Sequence, residues 1–182
     1  MGSFIKHFIT VHNHRKLVRK GCFKVGLYYQ GLTHDLSKYS LSEFLVGAKY
    51  YQGDRSPNNA EREDKGYSKS WLHHKGRNKH HFEYWTDYGA VDGSARIVPV
   101  PMPDKYIVEM VMDRIAASKI YKGKDYNNRC PLEYLNHGKS EKVIHKDTLN
   151  KLEYILTILA KEGEEKCFKY IKEEFLKGKY HE

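Results

Sequence analysis

Apolar residues recur at intervals of three and four along most of the chain, the period of helices with one buried face. With Val11 as reference and ~100° per residue, Phe4, Phe8, Val18, Cys22 and Val25 fall in one stripe, which predicts an amphipathic helix from Phe4 to about Val25. Ser40-Leu-Ser-Glu43 has the form of a capping box, in which serine and glutamate satisfy the first free N–H groups reciprocally. A second helix should therefore run through Leu45 to about Tyr51. The polar stretch from Gly53 to Gly66 contains Ser-Pro-Asn-Asn and reads as a loop or rim with a short exposed helix over Ala60 to Asp64. Helical pieces flank the segment Trp71 to Trp85, with a break near Gly76 and with Asn78 placed to cap the second piece.

Residues 89–103 hold Gly, Asp-Gly and three prolines, and must be irregular or extended. Asp104 can cap a long helix whose interior, Tyr106 to Ile120, is apolar on nearly every side, the mark of a buried central helix. From Thr148 to Ala160 the pattern turns Leu149, Leu152, Ile155, Leu156 and Leu159 inward. That helix ends near Gly163, and a last one carries Phe168, Ile171 and Phe175. The elements predict an all-α single domain over residues 1–182, with any site in a core of residues 4–122 and packing helices over residues 131–178.

Composition fits that picture: 40% hydrophobic and 13% aromatic residues can supply a core for 182 residues, so the 30% charged fraction reads as a solvated surface. The three cysteines, Cys22, Cys130 and Cys167, are odd in number and far apart, which points to buried thiols and a cytoplasmic setting rather than a disulfide scaffold. The longest apolar stretch near the C-terminus, Tyr154 to Ala160, is far too short to span lipid, and the N-terminus lacks the pattern of a secretory signal. No membrane partner is expected. The formal charge of +9 favours a polyanionic partner, a phosphorylated small molecule or a nucleic acid. Nothing in the pattern specifies an oligomeric state.

Candidate chemistry begins at Leu32-Thr-His34-Asp35-Leu-Ser-Lys38, where an imidazole adjoins a carboxylate and a lysine lies one turn beyond the histidine. The pair could straddle a cation while Lys38 neutralises a phosphate, or be an aspartate cap beside a surface histidine. His14 lies ~60° from Val11, inside the apolar stripe, whereas His12 falls ~100° to the other side. Asp113 stands among Tyr106, Met110, Ala117 and Ile120, where a carboxylate needs a metal or a cationic partner. Glu109, one turn earlier, could be a ligand or could orient a ligating histidine.

Four of the 11 histidines fall between His73 and His81. On one continuous helix His74 and His81 would stand about 10 Å apart, too far for one ion, and a break at Gly76 would relax that limit. Which member of each pair, His73-His74 and His80-His81, turns inward is open. Interleaved aromatic residues suggest a walled pocket, and Arg77 and Asn78 suit a phosphate or a base edge. A solvated basic patch is the plainer alternative.

In order, His14, the His34-Asp35 doublet with Lys38, a histidine-rich insertion and Asp113 resemble the HD superfamily of metal-dependent phosphohydrolases. The blocks QGLTHDLSKYS, GAKYYQG, WLHHKGRNKHHFEYW and MPDKYIVEMVMDRIAAS further resemble an uncharacterised family of small bacterial and phage proteins. The superfamily resemblance implies an HD-like helical bundle with metal ligation by His14, His34, Asp35 and Asp113, and His74 and His81 from the insertion can add to that set. One or two divalent ions, of Mn, Fe, Co, Ni, Mg or Zn, would serve hydrolysis of a phosphate ester in a nucleotide or nucleotide-derived signal. In that scheme His80 protonates the leaving oxygen, while Lys38, Arg77, Asn78 and His73 contact substrate. A di-iron oxygenase on a related scaffold and an idle binder of phosphorylated ligands are the rival expectations.

Overall fold

In the computed structural model, residues 2–91, 94–137 and 143–180 are described. Among them the chain forms α1 (Ser3–Lys24), α2 (Tyr28–Thr33), α3 (Leu41–Lys49), α4 (Pro57–Lys65), α5 (Lys69–Lys75), α6 (Asp104–Lys122), α7 (Cys130–Asn136) and α8 (Lys146–Glu173). The expected all-α class is what the chain adopts. The one addition is a small antiparallel hairpin, β1 (Thr86–Val91) and β2 (Ser94–Pro99), within the stretch read as extended, with Tyr88 opposite Ile97. No described helix is long and apolar enough to cross a membrane.

As its all-round apolar pattern requires, α6 is central and packs against both α1 and α8. Ile107, Val108, Val111 and Ile115 meet Val18 and Cys22 of α1 and Leu152, Ile155, Leu156 and Leu159 of α8 in one buried cluster. Each such aliphatic side chain contributes about 1.5–3 kcal/mol by leaving water. Close approach of α1 to α6 depends on Gly21, because a Cβ there would stand 2.7 Å from the Met112 sulfur. Gly163, with φ 85° and ψ 174°, breaks α8 into the two helices that the sequence separates there. The three cysteines are free and buried.

Four local expectations need correction. Phe4 and Phe8 remain about half exposed, because the first turns of α1 lie ahead of the contact with α6 and these two rings pack at the edge of Phe44 of α3, with Phe8 also near Tyr39. The supposed loop at Ser56-Pro57 is instead the start of α4, since proline suits the first helical position, where no N–H partner is needed. Asp104 does not cap α6: Pro103 occupies that place and the Asp104 carboxylate pairs with Lys151 at 3.0 Å. No second helix grows from Asn78, and the chain makes only a 3-10 turn over Phe82–Tyr84 before entering β1.

Candidate metal centre

The His34-Asp35 doublet does not lie on one helix, so Lys38 is not related to His34 by a helical turn. α2 ends at Thr33, His34 follows it, and Asp35 takes the left-handed conformation with φ 54° before the 3-10 turn Leu36–Tyr39. Among the described residues it is the one non-glycine with positive φ. Aspartate tolerates this region better than most side chains, at a cost of about 1 kcal/mol. The reversal drives both members of the doublet inward, leaving His34 1% and Asp35 0% exposed.

Two groups of donor atoms converge there. In the first, His14 Nε2 lies 3.0 Å from Asp113 Oδ1 and 3.3 Å from His34 Nε2, and His34 Nε2 lies 3.3 Å from Asp35 Oδ2. In the second, Asp35 Oδ1 lies 3.3 Å from His74 Nε2 and 3.4 Å from His80 Nε2, and His74 Nε2 lies 2.9 Å from His81 Nε2. Atoms bound about 2.1 Å from a common cation stand about 3.0–3.5 Å from each other in octahedral or tetrahedral geometry, so both groups have the spacing of a ligand shell. Each group could hold a metal ion. Asp35 belongs to both, and turns one oxygen to each.

Hydrogen bonding within the protein does not exhaust these atoms. Both Asp35 oxygens and His80 Nε2 are buried with no hydrogen-bond partner, although Lys38 Nζ forms an ion pair with Asp35 Oδ2 at 2.7 Å. A carboxylate left so incompletely satisfied in the interior is costly unless a cation completes it. The residues therefore fit a metal.

A second layer of carboxylates holds the rings. Glu109 Oε1 accepts from His34 Nδ1 at 2.9 Å and from His80 Nδ1 at 3.1 Å, so one side chain anchors a member of each group. Glu43 Oε2 accepts from His74 Nδ1 at 2.8 Å, and its other oxygen takes His73 Nδ1 at 2.6 Å. A carboxylate on Nδ1 favours that nitrogen as the donor, so that in the neutral form the Nε2 lone pair faces inward. Burial opposes charge on His34, but Asp35, Asp113 and Glu109 around it raise its pKa well above the usual imidazole value until a cation takes the proton's place. The grouping of His34, His80 and Glu109 is thus a set of hydrogen bonds rather than a third ligand shell.

Charge is fixed as well. Burial opposes ionisation of Asp35, but His34, Lys38 and His74 around it hold its carboxyl well below the usual range. Burial likewise opposes charge on Asp113, which hydrogen bonds to His14 and His34 keep well below its ordinary value. The His81 imidazole is pushed well down by burial and by its neighbours His80 and His74, which favours the neutral form that ligates metals.

His14, Lys38, His74, His81 and Asp113 form part of the wall of a cavity of about 470 Å3. Its remaining wall includes Tyr51, Arg62, Trp71, Glu83, Arg114 and Tyr134. The structure therefore brings together His14, His34, Asp35, His74, His81 and Asp113, and it buries His14 in this group while leaving His12 exposed.

Other candidates are placed differently. His80 is not a free proton donor: it is 1% exposed, with one ring nitrogen on Glu109 and the other toward Asp35, as the second group requires. Asn78 is buried and donates to Ser37 Oγ and to the His74 carbonyl, both at 2.8 Å, so it braces the turn after α5. Arg77 is exposed, donates to the His73 carbonyl at 3.3 Å, and does not line the cavity. His73 is committed to Glu43.

Glu43 itself escaped the sequence reading because the capping pattern explained it, yet Ser40 makes no side-chain cap and the glutamate turns to the histidines. Arg62 and Arg114 also went unnoticed. Arg114 did so because it follows Asp113 in a helix that reads as apolar.

Residues 3–158 match the family described as Family of unknown function (DUF5662). No curated protein and no solved structure matches the chain.

Proposed function

The chain belongs to this family of unknown function, and we propose that it is a metal-dependent phosphohydrolase of HD type that cleaves a phosphate ester in a nucleotide or nucleotide-derived molecule. The observation that carries this reading is the Asp35 carboxylate, buried, with one oxygen toward His34 and the other toward His74 and His80. His14, His34, Asp35 and Asp113 would hold one ion, and Asp35, His74, His80 and His81 a second. Divalent cations supply Lewis acidity toward phosphoryl oxygens and make water more acidic near neutral pH.

The chain's own residues do the rest. Glu109 and Glu43 keep the imidazoles oriented, so the donor set is organised before substrate arrives. Lys38 has a charge-compensating role and not that of a proton donor: burial works against its charge, but Asp35 and Asp113 raise its pKa. From the cavity wall it can offset the charge of a phosphate. Tyr51 offers an aromatic face on which a base can stack, and Arg62, over the Trp71 ring at 5.4 Å, is a further cation at that wall.

Metal-free protein reloaded in turn with Mn, Fe, Co, Ni, Mg and Zn is expected to release phosphate from members of a mono- and diester nucleotide panel with at least one metal. His34→Ala and Asp113→Ala should each lower turnover by about a thousandfold or more with the circular dichroism unchanged. Failure with every metal overturns the reading. So does oxygen uptake with an iron-pair spectrum and no phosphate release.

A further inference from the structure

Next to Asp113 on α6 stands a cation with no direct ion pair among the described residues. Arg114 is 8% exposed, and its Nε and Nη1 are buried with no hydrogen-bond partner. Nη2 has only the Met110 sulfur, at 3.8 Å. The guanidinium carbon lies 5.4 Å from the centre of the Tyr134 ring, which covers the group without neutralising it. Burial lowers its pKa, yet arginine does not give up its proton in proteins as a lysine or histidine can. An unpaired buried cation destabilises the fold, so its presence in the wall of the cavity calls for a partner that arrives from outside.

Asp113 and Glu83 favour the charge of Arg114 from a distance, but among the described residues neither makes a direct ion pair with it. Asp113 belongs to the metal-ligand group, and its Oδ1 is occupied by His14. Glu83 lines the same cavity with its Oε2 buried and unpartnered, but among the described residues no ion pair joins it to Arg114. Lys38 is taken by Asp35 and Arg55 by Glu63, whereas Arg62 keeps only an amide oxygen, Asn59 Oδ1 at 2.9 Å. Arg114 thus carries the planar N–H fork that suits a phosphate, in the wall of the cavity that His14 and Asp113 of the candidate metal centre also line.

We propose that Arg114 is a substrate-binding residue that receives a phosphate group other than the one cleaved, so that the substrate carries at least two phosphates. The oxyanion site stands on Arg114 alone, while cleavage at a second phosphate rests on the phosphohydrolase reading.

Inorganic phosphate is the first probe, titrated calorimetrically into protein stripped with EDTA, with melting temperature as a parallel readout. Wild type and His12→Ala, an exposed change, should bind it alike and melt higher in its presence. Arg114→Met should bind it at least about tenfold more weakly. Without phosphate, Arg114→Met should melt above wild type, because it removes an unpaired buried charge. Acetate, a single carboxylate, should bind more weakly than phosphate.

With metal restored, adenosine 3′,5′-bisphosphate should bind wild type more tightly than AMP does, a preference that disappears in Arg114→Met. Equal phosphate affinity in wild type and Arg114→Met overturns the proposal, as does Arg114→Met melting lower with its phosphate response intact. Phosphate binding through Arg114 in a protein that hydrolyses nothing would leave the oxyanion site standing and remove only the catalytic reading.

Discussion

The apolar core and the polar centre share one helix, α6, and differ in what holds their residues. Toward the core, Ile107, Val111 and Ile115 are fully or almost fully buried against aliphatic partners from α1 and α8. The forces there are non-directional, so side chains of similar volume can exchange at modest cost. At the centre, Glu109 and Asp113 act through single oxygen atoms at 2.9–3.1 Å from particular ring nitrogens. A directional set of this kind fails when one atom is changed, and it is costly without the group that completes it. The contrast separates two kinds of damage: changes in the core should cost stability and spare the bound metal, and changes at the centre should do the reverse.

The largest effect is expected at Asp35. An amide offers a cation one neutral oxygen in place of two ionised ones, so Asp35→Asn should reduce bound metal by at least half and turnover by about a thousandfold or more. Elemental analysis beside a phosphate-release assay checks both. In the core, Leu156→Ala removes a fully buried side chain and should cost about 2–5 kcal/mol in denaturant unfolding, with metal per folded molecule unchanged. Loss of metal in that variant would show that the two regions are not separable.

Glu109→Gln should weaken metal binding about 10- to 100-fold, measured by competition with a chelator, because it loosens one histidine of each group. Glu43→Gln should affect only the group that contains His74, and so less of the total. The smallest effect belongs to His12→Ala, an exposed change expected within about 0.5 kcal/mol of wild type and without consequence for metal content. The equivalent change at His14 should lower metal occupancy.

The same contrast explains what could be read along the chain. Helices α1, α6 and α8 were legible because an aliphatic face repeats with the helical period, and the separation of α8 at Gly163 was marked by the glycine itself. His14 and Asp113 stood out because a polar group at an apolar position demands a partner. His34-Asp35 was recognisable as a doublet, but its orientation depends on the left-handed turn at Asp35, which no periodicity announces. Glu43 was concealed by a local pattern that accounts for it equally well, and only the approach of α5 shows where its carboxylate goes. His80 was legible as part of a cluster and not as a member of the second group, since that follows from the break after α5. Start and end signals were the least secure, as Ser56-Pro57 illustrates.

The two oxygens of Asp35 face two separate groups, each of which could hold a cation. Anomalous diffraction from crystals grown with manganese tests it most directly. Two peaks are expected, one on either side of the Asp35 carboxylate, the first among His14, His34 and Asp113 and the second among His74, His80 and His81. Absence of density at both groups, with Asp35 paired to Lys38 alone and the rings hydrogen-bonded to one another, would contradict it.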